Sequence, residues 1–482
     1  MTKKSKKVFS VCLTLIYVGI NLYLASKHEA WRDEGQSWVL VKNASLKELI
    51  LDLCVEGHPA LWFLTILPFA KLGMPFQCFH LLSITMMGVA FYLMLQVSPF
   101  PYWAKLLLTC NSVFWYYNPI IPRIYSESVL LLVLLCSVYD KRGEHPWLYG
   151  ILLFMLAQSH VLLEGLAIAL VFERFCVLLK SKEQAKQSVP SFVLGTIGGL
   201  LAFAELFPRA GTRRSVDISS SGILANMTKE RISLLTDATT SCLWGFTENW
   251  KQTGMLVFLL AGAAILLIIS LNEEGLLKTI YRSLTLVVAL GMPLFIVFFV
   301  YSIHEQMATL FLMILLSLMW ITWADRCHEK QKRFMLVIVI VILLASAPTT
   351  IKAMAYDINE RYSNSKDMAN YIINNTPEDA VILVNDSEYN TPVYSYVLDK
   401  REDITFFNVQ KREDYKYHVW GESYPPVTEA EAKAIAVNLF YGQPVYWLLP
   451  FSLDETNYIT LLDVENEQNY TQEYYVYYMV EA

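Results

Sequence analysis

Long apolar runs fill the first 350 residues and leave few folds open to the chain. The first, 8–26, follows Lys3, Lys4, Lys6 and Lys7 and contains nineteen residues. At about 1.5 Å per residue such a run nearly matches the ~30 Å hydrocarbon core of a bilayer. A cleaved signal peptide would carry a shorter apolar region, about 7–15 residues, and a small-residue cleavage site. The run therefore reads as a span whose lysines hold the N-terminus in the cytoplasm. Further runs cover 59–73, 76–97, 104–120, 124–139, 147–159, 161–179, 190–207, 255–271, 283–300, 305–323 and 334–347. Charged residues make up 17% of the chain, below the ~25% of ordinary soluble domains. The net charge of −6 is unevenly spread and offers no basic face for nucleic acid.

Positive-inside bookkeeping assigns sides. Lys141-Arg142, the Lys180 to Lys186 run, Lys278 to Arg282 and Arg326 to Arg333 belong in the cytoplasm. That places 27–58, 208–253, 301–304 and everything beyond 348 outside. The parity fails once, between His58 and Arg123, where three runs stand and two are needed. One of them does not span fully, and the short 59–73 run is one candidate. The expected fold is a polytopic α-helical membrane domain of roughly 11 spans over 1–350, followed by an extracytoplasmic α/β accessory domain over 351–482.

The tail differs in kind. SKDMANYIINN and TEAEAKAIAVNLF read as helices, the second capped by Thr428, and VILVND, DITFFNV and PVYWLLP as strands. It holds no cysteine, which argues against a disulfide framework or a zinc site of the usual spacing. Its carboxylates Asp386 and Glu388 look like ordinary loop residues. In the first external segment, Ser45 and Glu48 form a capping box ahead of Leu46, Leu49, Ile50 and Leu53, so a short amphipathic helix is expected on the bilayer surface.

That same segment reads WRDEGQSWVL and then VEGHPALWF. Asp33, Glu34, Glu56 and His58 thus lie in one loop tethered between two apolar runs. A solvated loop is the bland alternative; Trp31 and Trp38 flanking the acidic pair speak against it. The pattern resembles the GT-C superfamily, integral-membrane glycosyltransferases that use polyprenyl-phosphate sugars, including protein O-mannosyltransferases and the aminoarabinose transferases of lipid A. It looks most like bacterial members of the RgtA/B/C/D-like kind. The resemblance rests on Asp33-Glu34, on Gly57-His58-Pro59-Ala60-Leu61-Trp62, and on Arg123-Ile124-Tyr125, with Phe63 and Ile124 departing from the Tyr and Asn common in that family.

The resemblance implies that Asp33 is the general base for an attacking acceptor, with Glu34 beside it. Such chemistry needs a carboxylate within hydrogen-bond reach of the acceptor and positive charge at the departing phosphate. Arg123 is the best cation, because a guanidinium grips phosphate with two parallel hydrogen bonds; a snorkelling arginine at a span end is the alternative. Tyr125 accompanies it. Glu34, Glu56 and His58 are candidates for a divalent cation (magnesium or manganese) or for orienting the base, although His58 before Pro59 also suits a helix start. His160, in AQSHVLLEGL, and His304 stand at other span ends on the same side, and Arg209, Arg213 and Arg214 are further candidates for the lipid phosphate. The expected partners are a polyprenyl-phosphate sugar donor, membrane lipid and an acceptor of undefined chemistry. A transporter or flippase of a lipid-linked saccharide is the competing class, but it would place paired charges near mid-bilayer.

Overall fold

The computed structural model describes residues 2–52, 56–179, 182–207, 276–299, 305–324, 329–420, 424–453, 457–465 and 474–481. His304, Arg209, Arg213, Arg214 and the 255–271 run lie outside these residues. Five helical stretches are long and apolar enough to cross a membrane: Lys4–Lys27, Cys78–Val97, Ala185–Leu206, Gln306–Trp323 and Lys332–Asn359. They make the chain a membrane protein by length and composition. Shorter apolar helices stand among them.

In chain order the elements begin with α1 (Lys3–Lys27), α2 (Arg32–Asn43), α3 (Leu61–Lys71), α4 (Cys78–Val97), α5 (Tyr102–Leu108) and α6 (Tyr117–Ile120). They continue with α7 (Ile124–Tyr139), α8 (Pro146–Ala157), α9 (Glu164–Leu178) and α10 (Lys182–Leu206). Helices Leu276–Phe299, Glu305–Ala324, Glu329–Ala345 and Ala347–Asn359 complete the bundle. The segment carrying Asp33 and Glu34, expected as a loop, is helical: both acids sit in the first turn of α2, where carboxylates complement the helix dipole. Helical geometry does follow Ser45: Leu46 and Lys47 are α-helical and Glu48–Asp52 continue as a π-type turn, while Leu53 lies outside the described residues. Its capping box does form, with Ser45 N donating to Glu48 Oε2 at 2.6 Å and Glu48 N to Ser45 Oγ at 3.2 Å.

The parity conflict has a structural answer in α3. Near its start, Ala60 N donates to Glu205 Oε2 at the end of α10. At its finish, Lys71 Nζ donates to Lys42 O at the end of α2. Soon after, Phe76 N bonds Asp399, which also pairs with Lys42. Both ends of α3 therefore lie at the end of the bundle that carries the C-terminal domain, and α3 does not cross. The 104–120 run traverses the bundle, but not as one helix. Between α5 and α6 the backbone leaves helical geometry, and side chains supply its partners: Tyr17 Oη donates to Phe114 O at 2.5 Å, Asn118 Nδ2 to Val113 O at 2.9 Å, and Trp115 Nε1 to Thr109 O at 2.9 Å. Irregular backbone at membrane depth survives only when protein satisfies it in this way. Tyr116 there adopts φ 68° and ψ −77°, a rare and strained γ-turn closed by Tyr117 N donating to Trp115 O at 3.0 Å.

The expected boundary at 350 falls inside helix Ala347–Asn359, which ends the long apolar stretch Lys332–Asn359. Beyond it a six-stranded sheet forms, with β1 (Val381–Val384), β2 (Thr405–Asn408), β3 (Glu413–Asp414), β4 (Val445–Leu449), β5 (Ile459–Glu465) and β6 (Tyr475–Val480) in the order β3-β2-β1-β4-β6-β5. Strands β2, β1 and β4 run parallel, as the alternation of strand and helix in the sequence implies. Side chains alternate between faces. Val381, Leu383, Val445 and Trp447 pack toward helix Glu429–Leu439. Ile382, Val384, Tyr446 and Leu448 point the other way and join the core of the bundle itself.

Candidate active site

Helix α2 brings the acidic pair to the junction of bundle and C-terminal domain, and its two carboxylates diverge. Asp33 Oδ2 lies 2.8 Å from Arg123 Nη1, and both side chains remain partly exposed. Glu34 is fully buried; its Oε1 accepts from Trp31 N at 3.0 Å and lies 3.2 Å from His28 Nε2. The pair therefore faces two environments, as neighbours on a helix must at about 100° apart.

Arg123 precedes α7 in extended conformation. Its Nη1 also approaches Gln306 Oε1 at 3.5 Å, and Gln306 Nε2 donates to Tyr117 O at 2.7 Å. The guanidinium stands 5.4 Å from the centre of the Tyr125 ring, whose other neighbour is the His160 ring at 5.4 Å. Burial opposes the charge of Arg123, but Asp33, then Tyr125, Glu34 and Glu56, outweigh it, and its pKa lies above the ordinary value. His160 occupies the turn between α8 and α9. Burial first, then the charges of His58 and Arg123, push its pKa well below the ordinary value. Its Nδ1 accepts from Leu162 N at 3.1 Å, so the neutral ring carries its proton on Nε2.

Glu56 accepts from Gln36 Nε2 at 3.2 Å and from Trp420 Nε1 at 3.1 Å. His58 Nδ1 donates to Pro59 O at 3.0 Å, and its ring stacks on Phe63. Asp33, Arg123, Tyr125 and His160 thus form one chain of contacts. Glu56 joins it through α2, while Glu34 is turned inward. Among the described residues no three His, Cys, Asp or Glu side chains converge as a metal site.

The C-terminal domain supplies residues that the sequence did not single out. Gln36 Nε2 donates to His418 O at 2.6 Å, and His418 N returns a bond to Gln36 Oε1 at 3.2 Å. Arg32 Nη1 reaches Glu388 at 3.4 Å and the Tyr389 hydroxyl at 3.1 Å. Asp386 and Glu388 are not ordinary loop residues. Asp386 is buried against Lys411 at 3.1 Å and His418 at 3.4 Å. Burial works to raise its pKa, but the His418 hydrogen bond and the Lys411 charge hold it below the usual carboxylate value. Gln306 could have been flagged, since it lies two residues beyond His304. Trp420 and His418 carried no local signal, because their contacts cross more than 360 residues of chain.

A cavity of about 570 Å³ opens between α8, α9, α10 and helix Leu276–Phe299. Its lining is apolar but for Thr196 and, one turn after His160, Glu164. Glu164 Oε1 has no hydrogen-bond partner there.

No protein-family model matches the chain, and no curated protein does. Among solved structures the chain is similar to the crystal structure of ArnT from Cupriavidus metallidurans in the apo state. The two share 11% identity over 98% of this chain and 97% of that chain, with a TM-score of 0.41. A likeness this distant does not extend to the site residues.

Proposed function

We propose that the chain is a GT-C-type membrane glycosyltransferase moving a sugar from a polyprenyl-phosphate donor to an envelope or glycan acceptor at the extracytoplasmic face. The observation that carries this reading is the Asp33–Arg123 pair, a partly exposed carboxylate held 2.8 Å from a guanidinium at the mouth of a membrane bundle. In the reaction the bond from the sugar's anomeric carbon to the phosphate oxygen breaks, and a bond to the acceptor oxygen or nitrogen forms. The acceptor's proton passes to the Asp33 carboxylate, and the departing polyprenyl phosphate keeps the electron pair as an anion beside Arg123. A phosphate competing for Arg123 would also loosen its hold on Asp33, freeing the base as the donor binds. His160 offers an Nε2 proton to the same anion, and the cavity beyond it suits an isoprenoid chain.

Sidedness follows from Lys4, Lys6, Lys141 and Arg142, which lie at the opposite end of the bundle from Asp33. On that basis the C-terminal domain stands outside the cell. The transporter reading is weaker because the site's charges gather at one end of the bundle. Incubating purified protein with a radiolabelled polyprenyl-phosphate hexose and an envelope extract tests the proposal. Release of polyprenyl phosphate that disappears in Asp33→Asn is expected. Equal release from both proteins would overturn the assignment of the base, and label crossing vesicles without bond cleavage would favour a transporter.

A further inference from the structure

His28 is the residue on which α1 ends, and its ring is completely buried. Its Nδ1 lies 2.9 Å from Asp357 Oδ2, and its Nε2 lies 3.2 Å from Glu34 Oε1. Ionised carboxylates only accept hydrogen bonds, so a ring facing one on each side carries protons on both nitrogens. The three residues come from three elements: the end of α1, the first turn of α2, and the helix Ala347–Asn359 that leads into the C-terminal domain. Two other rings close the space, Tyr362 at 4.4 Å and His80 of α4 at 5.6 Å, the latter donating from Nδ1 to Ile120 O. Glu29 is the remaining charged group that acts on His28. Glu34 is thereby committed on its inner side, while Asp33, its neighbour, meets Arg123.

We propose that His28 is a positioning residue for the acid pair: by bridging Glu34 and Asp357 it locks the first turn of α2 and so sets where Asp33 stands against Arg123. The inference rests on the reading of Asp33 as the base. Two unrelated loads converge on this bridge, since the same turn of α2 also carries Arg32 to Glu388 and Gln36 to His418. A loss at His28 should therefore be felt in the geometry of Asp33 before it is felt in the bundle. A catalytic group misplaced by about 1 Å loses on the order of 10²-fold in rate.

The test uses full-length protein in detergent, with His28→Gln and Asp357→Asn made separately. Gln can reach one carboxylate but not both; Asn keeps the shape of Asp357 and removes its charge. Hydrogen exchange of peptides covering 29–43 is measured beside transfer from the polyprenyl-phosphate hexose. Expected are faster exchange confined to the start of α2 and a kcat lower by about 10²-fold, with the KM for the donor little changed because Arg123 is untouched. Unchanged exchange in 29–43 overturns the proposal, and so does exchange that rises evenly through the bundle while kcat holds. If His28→Gln does not fold, Asp357→Asn decides alone. Asp33→Asn runs in parallel: if it transfers normally the base reading falls, while the exchange data still judge the bridge.

Discussion

In the proposed reaction Asp33 and Arg123 divide the chemistry, so single substitutions at the two positions should fail differently. Asp33→Asn removes a charge and little volume at the partly exposed start of α2, and should lower the transfer rate by roughly 10²–10⁴ without loss of folded protein. Arg123→Lys keeps a charge but loses the planar fork, and should raise the donor KM more than it lowers kcat. Steady-state kinetics on the two variants separates the roles. At His28 burial disfavours the charged ring, but Asp357 and then Glu34 outweigh it and raise its pKa from 6.5 to about 10. A group with a raised folded-state pKa stabilises fully below its unfolded value and loses that contribution as pH climbs through the folded value. Thermal unfolding in detergent should therefore occur at falling temperature between pH 6.5 and about 10, and Asp357→Asn should flatten that slope. Asp33, Arg123, Tyr125 and His160, which the fold brings into one chain of contacts, stood out in the sequence because polar residues at the ends of apolar runs are conspicuous. His28 met the same criterion. It went unmarked because its partner Asp357 lies 329 positions away and nothing local announces the pair.

Helix α2 is the element that the sequence hid. RDEGQSWVLVKN carries too many polar residues for an apolar run, yet Glu34 to Val41 are all buried, because the helix packs under protein and not under lipid. Hydropathy measures transfer into a membrane and is blind to burial against a second domain. The neighbouring capping box at Ser45 was legible since its signal is local. Helix α3 was half legible: its length gave it away, and only its contacts with Glu205 and Lys42 show that it lies across the bundle end. The tightest joint in α2 is at Gly35, where an added Cβ would sit 2.4 Å from Pro392 N and 2.5 Å from Thr391 C. Backbone atoms cannot yield as a flexible side chain can. Gly35→Ala should push α2 off helix Thr391–Leu398 at a cost of about 1–3 kcal/mol, the usual range for overpacking, and should lower the unfolding temperature and transfer together.

At the scale of the whole molecule, the bundle and the sheet share one core, and the site lies on their seam. The α/β nature of the tail was readable from its alternating pattern; its part in the site was not, because residues such as Trp420 act through contacts that only folding creates. Trp420→Phe keeps an aromatic ring, smaller than the indole, and deletes the hydrogen bond to Glu56, a loss of about 1.5–3 kcal/mol for a bond to a charged group. If the seam belongs to the site, kcat/KM should fall about tenfold or more alongside a modestly lower melting temperature; a lower melting temperature with kcat/KM unchanged would leave the domain a bystander. The contact at Gly35 also bears on how the protein is born. Helix α2 leaves the ribosome 357 residues before Pro392, the atoms against which it must finally rest. At roughly 5–20 residues per second, that is an interval of about 20–70 s. Throughout it α2 lacks helix Thr391–Leu398, on which it packs, and Glu56 lacks Trp420. If the proposed function holds, a newly made chain is idle by its own order of synthesis, and competence arrives only as its last quarter folds down onto its first tenth.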